Sequence, residues 1–172
     1  IAVPHSIYGP RQKYDDPYRN VASIMANLML QGRAPIIYGD GEQHRCFSYI
    51  SDCVGVLADM ATSPLVAGEI INIGPDEEFI SINQLAQKLA NITGCNLEPI
   101  HMPDRPREVK LATCSADKAR KLLGYETRVF LDDGLKNLVD WIQEKGPLPF
   151  GYHFDIEIRN DLTPRTWTDR LI

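Results

Sequence analysis

Apolar residues along the chain alternate between short continuous runs, typical of strands, and three- to four-residue spacings, typical of helices. The opening run, residues 1–8, is mostly apolar, contains β-branched residues and ends at Gly9 and Pro10, which predicts a buried strand. Short extended segments are also predicted at residues 34–38, 46–50, 69–74 and 97–102. Strands that alternate with helices predict the α/β class, but the strands are too few for a complete doubly wound domain.

Helices are predicted where the apolar residues recur at helical spacing between capping residues and glycines. Their predicted starts are Pro17, Ser51, Ser81, Ser115 and the pair Asp132 and Asp133, and their predicted stops include Gly32, Gly94, Gly124 and Gly146. Residues 39–42 are predicted to form a turn whose glycines adopt positive φ. Residues 1–146 are therefore expected to form the folded body, and 147–172 an extended tail that lies on it.

Composition narrows the range of partners. The 172 residues carry 18 Lys and Arg against 23 Asp and Glu, and the net charge of −5 argues against a general binder of nucleic acid or anionic membranes. Apolar runs stay well short of the roughly 20 residues that cross a bilayer, and no signal peptide opens the sequence. The scattered cysteines and histidines predict no metal site and no disulfide framework, so a cytoplasmic location is expected.

Three polar clusters carry candidate chemistry. In residues 4–12 a strand ends in Gly-Pro, which places its last side chains at a sheet edge, where open α/β sheets bind ligands. In residues 35–52 the extended backbone at Ile36 and Tyr38 can meet a base edge, and Arg45 offers a donor fork suited to a diphosphate. In the third cluster Arg105 and Arg107 flank Pro106 and can clamp a phosphate. Taken singly, the residues of the first cluster and Arg45 fit a structural role better, as core packing or a surface ion pair, and the third cluster fits a solvated loop equally well.

Taken in order, the clusters resemble a known family. Tyr-Gly-Pro-Arg-Gln from Tyr8, Gly-Asp-Gly-Glu-Gln-His-Arg-Cys-Phe-Ser-Tyr-Ile-Ser-Asp from Gly39, Arg-Pro-Arg-Glu from Arg105 and Ala-Asp-Lys-Ala from Ala116 occur with suitable spacing. Over about residues 1–145 the chain is similar to the C-terminal half of an extended short-chain dehydrogenase/reductase. More narrowly, it resembles the NAD-dependent nucleotide-sugar epimerase/dehydratase family, of the UDP-glucose 4-epimerase and UDP-glucuronate decarboxylase kind.

The resemblance implies a fold and residue roles. The fold would be the last strand and helix of a Rossmann core plus a small mixed α/β substrate lobe. Pro4 would lie near the nicotinamide, and Lys110 falls where many members carry an acidic ribose contact. The implied substrate contacts are Ser6 to the phosphate or sugar, the backbone of Ile36 and Tyr38 to the base, Arg45 to the diphosphate, and Arg107 to a phosphate or the ribose.

The family's catalytic elements are missing from this sequence. Residues 39–41 are followed by a charged stretch and a strand, not by the helix that a dinucleotide-binding loop requires. None of the seven tyrosines is followed by Lys four residues later. The resemblance therefore implies that the N-terminal dinucleotide-binding half is absent, and that NAD binds the complete enzyme but not this chain alone.

The resulting hypothesis is the UDP-sugar-binding part of an NAD-dependent epimerase, decarboxylase or dehydratase that acts through a transient 4-keto sugar, with 4-epimerisation favoured. The chain alone is expected to bind nucleotide sugar weakly or not at all and to be inactive. A homodimer is possible. The alternatives left open are a stand-alone, non-catalytic nucleotide-sugar-binding or regulatory module and a structural interaction domain.

Overall fold

The computed structural model describes residues 1–153 and 155–172, in which short strands alternate with helices. The helices are α1 (Val21–Leu30), α2 (Ile50–Thr62), α3 (Ile82–Thr93), α4 (Asp117–Leu123), α5 (Leu131–Lys145) and α6 (Arg165–Thr168), with a 3-10 turn at Pro64–Val66. The strands are β1 (Ala2–Pro4), β2 (Ile7–Tyr8), β3 (Ile36–Tyr38), β4 (His44–Arg45), β5 (Ser48–Tyr49), β6 (Ile71–Ile73), β7 (Ile80–Ser81), β8 (Ile100–Met102) and β9 (Leu111–Ala112).

The strands pair in small groups. β1 pairs with β6, β2 with β5 and β3 with β8, each in parallel. β4 lies between β7, to which it runs antiparallel, and β9, to which it runs parallel. This arrangement of parallel and mixed pairs with flanking helices confirms the predicted α/β class.

The opening run is not the single buried strand that its composition predicts. Ser6 has a φ of 42°, and this bend divides the run into β1 and β2, which pair with different strands. Tyr8 in β2 is buried, but Val3 in β1 is 42% exposed and Pro4 is also exposed. The prediction of burial is wrong for β1, because within the described residues β6 is its only strand neighbour.

Helix α1 begins later than Pro17 indicates. Pro17 lies before the helix, and the capping residue is Asn20, whose side chain accepts a hydrogen bond from the Ala22 N–H at 2.8 Å. This contact satisfies one of the amide groups that the first helical turn leaves unpaired. The Asn20 side chain also donates to the Ile7 carbonyl at 3.2 Å, so the cap ties α1 to β2.

The three serines predicted to start helices have different outcomes, and for Ser115 the helix α4 begins two residues later, at Asp117. Ser81 caps α3 as predicted: its hydroxyl accepts the Gln84 N–H at 3.2 Å, and the Gln84 side chain accepts the Ser81 N–H at 2.9 Å. Ser51 does not cap α2, because the helix already begins at Ile50 and Tyr49 occupies the capping position. A capping box is a local pattern that the sequence can reveal, whereas α2 follows directly after β5, whose pairing with β2 joins residues distant in sequence.

Two hydrophobic clusters hold the body together. The larger lies between α1, α3 and α5 and includes Tyr8, Met25, Ile37, Phe47, Leu85, Leu89, Leu135, Leu138 and Ile142. The smaller packs α2 and α4 on β6 and includes Cys53, Val56, Ile71, Ile73, Ala119 and Tyr125.

Tyr8 connects β2 to α5. Its ring makes edge-to-face contacts with Phe47 and Tyr49, and its hydroxyl donates to the Leu131 carbonyl at 3.3 Å. The hydroxyl comes so close to the helix that a Cβ at Gly134 would lie 2.1 Å from it. Because Gly134 has no side chain, it leaves the space on α5 that the buried Tyr8 phenol occupies.

The tail is not extended throughout, because residues 165–168 form the short helix α6. Its beginning is tied to the body by Asn27, a fully buried residue of α1, whose side chain hydrogen-bonds both the carbonyl and the N–H of Leu148, at 2.8 and 3.1 Å. Among the described helices, none has the length and apolar character needed to cross a membrane.

We predict that Gly134→Ala destabilises the fold by about 1–3 kcal/mol, because the new methyl group overlaps the Tyr8 hydroxyl in a packed core. Gly55→Ala is the matched control: Gly55 lies in α2 with open space around its would-be Cβ, so alanine should stabilise by up to about 1 kcal/mol. Urea unfolding measures both changes. A Gly134→Ala protein as stable as wild type would contradict the assignment of Gly134.

Candidate functional site

A cavity of about 260 Å³ lies between the start of α1, the carboxyl ends of β3 and β4, the loop before β9 and the tail. Its polar lining includes Ser6, Gln43, Arg45, Arg105 and Glu108. Its apolar and aromatic lining includes Ile24, Ile36, Tyr38, Phe47, Trp167 and Ile172. Apolar walls with a few convergent polar groups are typical of small-molecule sites.

Arg45 projects from β4 into this cavity, where it forms an ion pair with Glu108. The two side chains are only 17% and 18% exposed, and the Arg45 guanidinium also donates to the His44 carbonyl at 2.8 Å. β4 holds the backbone of Arg45 between two neighbouring strands, which fixes the direction of the side chain. The pair thus offers both a cationic fork and a carboxylate to a ligand.

Arg105 also lines the cavity, and its guanidinium group lies against aromatic rings. Its guanidinium carbon lies 4.4 Å from the centre of the Tyr38 ring and 5.4 Å from that of Trp167. Its Nε is buried without a hydrogen-bond partner among the described residues, and none of their ion pairs involves Arg105. The charge is therefore positioned by cation–π contacts and leaves capacity for an anionic ligand.

The backbone of β3 presents an edge to a ligand. The Pro35 carbonyl and the Gly39 N–H bond to β8, so by alternation the main-chain groups of Ile36 and Tyr38 point to the opposite edge. The Tyr38 carbonyl confirms this direction, since it accepts a hydrogen bond from the Gln43 side chain at 3.1 Å. Gln43 is 6% exposed, and its side-chain oxygen has no partner among the described residues.

Ser6 and His5 lie at the bend between β1 and β2. Ser6 lines the cavity, and its carbonyl accepts the Ser48 N–H at 3.3 Å. The Nε2 of His5 is buried without a partner among the described residues. Burial, aided by the nearby charge of Arg45, lowers the pKa of His5 below its ordinary value.

The structure brings together four of the six residues that the resemblance singles out: Ser6, Ile36, Tyr38 and Arg45 all line the cavity. Pro4 and Arg107 do not line the cavity. Both residues are exposed, and Arg107 has a φ of 58°. Their assigned contacts, to nicotinamide and to phosphate or ribose, remain predictions.

Sequence reasoning gave no role to Glu108, Gln43 or Trp167. For Glu108 the available signal was its position three residues after Arg105, on the same short loop. Lys110, which falls at the acidic ribose contact of many relatives, is exposed and pairs with Asp40 and Asp104. Among the described residues, no group of three or more His, Cys, Asp or Glu side chains is arranged to hold a metal ion.

Comparison with known proteins agrees with the family resemblance seen in the sequence. Residues 2–138 match the family model described as GDP-mannose 4,6 dehydratase. The chain is 34% identical over 145 residues to the UDP-N-acetyl-alpha-D-glucosaminuronate decarboxylase of Bacillus cytotoxicus, a match that covers 81% of this chain and 44% of the relative.

Solved structures show the same relationship. The UDP-glucose 4-epimerase of Thermotoga maritima with UDP-glucose superposes with a TM-score of 0.72 at 33% identity, covering 84% of this chain and 45% of the other. The UDP-glucuronic acid 4-epimerase of Bacillus cereus, in complex with UDP-glucuronic acid and NAD, gives 0.76 at 32% identity, covering 85% and 45%. This chain thus spans less than half the length of these relatives.

The fold and these matches define an α/β protein of the extended short-chain dehydrogenase/reductase class, with a Rossmann-type architecture. The chain belongs to the NAD-dependent nucleotide-sugar epimerase/dehydratase family.

We predict that His5 makes stability depend on pH between about 5 and 7. The folded-state pKa lies below the ordinary value of 6.5, so the unfolded chain binds more protons in this range and stability falls as the pH falls. In His5→Gln the free energy of unfolding should decline less on acidification. Urea titrations at several pH values measure this slope, and His153→Gln, at an exposed histidine, should keep the wild-type slope. Equal slopes in all three proteins would refute the prediction.

Proposed function

We propose that this chain is the nucleotide-sugar-binding part of an NAD-dependent UDP-sugar epimerase, decarboxylase or dehydratase. The observation that carries the proposal is a cavity in which two guanidinium groups, Arg45 and Arg105, lie beside an available strand edge. The structures of relatives with UDP-glucose and with UDP-glucuronic acid support a UDP-sugar as the ligand.

The diphosphate would bind between the two arginines. Guanidinium forks match phosphate oxygens, and such charge-assisted hydrogen bonds are stronger than neutral ones. Because Arg45 already pairs with Glu108, a phosphate must share or replace that partner, whereas Arg105 makes no ion pair among the described residues. We therefore place the second phosphate contact at Arg105 rather than at Arg107.

The nucleoside would bind along β3. The main-chain edge of Ile36 and Tyr38 provides donors and acceptors for a base such as uracil. The Glu108 carboxylate is an acceptor for ribose hydroxyls, a role that the resemblance would otherwise give to position 110. Ser6 can donate to a phosphate or sugar oxygen from the bend after β1.

We propose that NAD does not bind this chain alone. Pro4 is the one residue to which the resemblance assigns a nicotinamide contact, and it is exposed at the end of β1, outside the cavity. In the complete enzyme NAD would accept and return hydride. We propose that a further segment, with the Gly-rich loop and the Tyr-x-x-x-Lys pair, supplies this chemistry, and that the present chain holds the substrate within reach.

A stand-alone binding module is the alternative function, and one observation favours it: residues of this chain, from Ser6 to Ile172, line the cavity. The same observation favours weak binding over none for the isolated chain. Under either function, UDP should bind between Arg45 and Arg105.

We predict that Arg45→Ala and Arg105→Ala each weaken UDP binding by about tenfold or more, because hydrogen bonds to charged groups contribute about 1.5–3 kcal/mol. Titration of UDP into the 172-residue chain, followed by calorimetry or amide chemical shifts, measures the affinities. Arg128→Ala is the matched control, since Arg128 is exposed and pairs with Glu126.

Arg107→Ala separates the two assignments of the second phosphate contact. Unchanged affinity in this variant, with a loss in Arg105→Ala, would support the cavity. The reverse result would return the role to Arg107, and failure of the unmodified chain to bind UDP at any attainable concentration would refute the proposed function.

We also predict that the chain alone converts no UDP-glucose to UDP-galactose when NAD is added, because none of its tyrosines has the partnering lysine. Chromatographic separation of the two UDP-sugars measures conversion, with a complete relative as the positive control. Turnover by the chain that is lost on heat denaturation would show that a base within it had been overlooked.

A further inference from the structure

The C-terminal turn, residues 164–172, forms one wall of the cavity through Trp167 and Ile172. These residues lie beyond residues 2–138, where the family model matches. This wall of the cavity is therefore formed by the tail, outside the residues that the family model matches.

The turn is fastened on both sides of Trp167, directly to the body through Thr166 and, at Ile172, to the tail residue Tyr152, whose ring packs on Tyr18 of the body. Thr166 is fully buried, and its hydroxyl hydrogen-bonds the hydroxyl of Tyr38. At the far end, the hydroxyl of Tyr152 hydrogen-bonds both the carbonyl and the N–H of Ile172, each at 3.3 Å. A segment of nine residues with anchors on both sides of Trp167 has little freedom to move that side chain.

Trp167 sits between two partners. Its ring makes an edge-to-face contact with Tyr18, with ring centres 5.2 Å apart, and the guanidinium of Arg105 lies 5.4 Å from its centre. Tyr38 contacts the same guanidinium at 4.4 Å. Two aromatic rings thus hold a cation for which the described residues provide no carboxylate partner. Such an arrangement keeps a positive charge in place without neutralising it.

We propose that Trp167 is a positioning residue, which holds the Arg105 guanidinium in place to bind a phosphate group of a nucleoside diphosphate. The C-terminal turn then contributes to ligand binding as one wall of the site. The inference rests on the proposed function and adds to it a residue from the tail. Trp167 acts through Arg105, so its effect should follow the phosphate part of the ligand and not the base.

The test compares three probes on the 172-residue chain: UDP, uridine and inorganic pyrophosphate. Trp167→Leu should weaken UDP and pyrophosphate binding by about three- to tenfold, the range of a cation–π contact, and leave uridine binding unchanged. Trp167→Phe should restore most of the affinity, because an aromatic face remains. Leu162→Ala, at an exposed tail residue outside the cavity lining, should bind all three probes as the wild type does.

A double variant shows whether Trp167 acts through Arg105. In an Arg105→Ala background, Trp167→Leu should cause no further loss of UDP affinity, because the group that it positions is gone. An equal loss for uridine and UDP, a loss that adds fully to that of Arg105→Ala, or no loss at all would each overturn the inference. A merely structural role would lower uridine binding as well.

Fluorescence provides a readout that needs no affinity difference. The chain has two tryptophans, and Trp141 packs against Tyr14 in the helical core. In Trp141→Phe the remaining signal comes from Trp167 and should change on UDP addition, whereas Trp167→Phe should show little change. If the unmodified chain binds no UDP, the proposed function and this inference both fail. If it binds UDP but Trp167 does not respond in either assay, only this inference fails.

Discussion

The packing of Tyr8 against Gly134 is the contact on which the position of the cavity depends. A buried phenol needs both space and a partner for its hydroxyl, and α5 offers both, at Gly134 and at the Leu131 carbonyl. The contact fixes β2 against the helical core, and α1 and α3 pack on the same helix. Ser6 immediately precedes β2, and the start of α1 lines the cavity. The positions of these two cavity walls therefore depend on the contact between Tyr8 and Gly134.

Ligand sites of open α/β sheets lie at the carboxyl ends of parallel strands, and this cavity follows that rule although its strands are very short. Tyr38 ends β3, Arg45 ends β4, and Ser6 follows the end of β1 by two residues. The positive φ of Ser6 is therefore more than an interruption of a strand. It turns the backbone so that one run of residues serves two strand pairs and also contributes to the cavity between them.

Features set by neighbouring residues could be predicted from the sequence, and features set by distant ones could not. The Ser81 cap, the glycine stop at Gly94 and the turn at residues 39–42 depend on local hydrogen bonds and φ angles, and the structure confirms them. The bend at Ser6 and the pairing of Glu108 with Arg45 depend on residues far away in sequence. Trp167 lies in a tail of weak periodicity, where no pattern of spacing marks a contact with the cavity.

Arg45 and Arg105, two of the three arginines that line the cavity, differ in what a phosphate must displace to reach them. At Arg45 it competes with Glu108, a partner that is already desolvated, so much of the Coulombic gain is offset by the loss of an existing pair. At Arg105 it meets a charge held by Tyr38 and Trp167 that no described carboxylate neutralises. A charge that is already ordered and partly desolvated loses less conformational entropy and less hydration on binding. Arg105 should therefore contribute more to the net phosphate affinity than Arg45, which also orients the diphosphate between Glu108 and the strand edge.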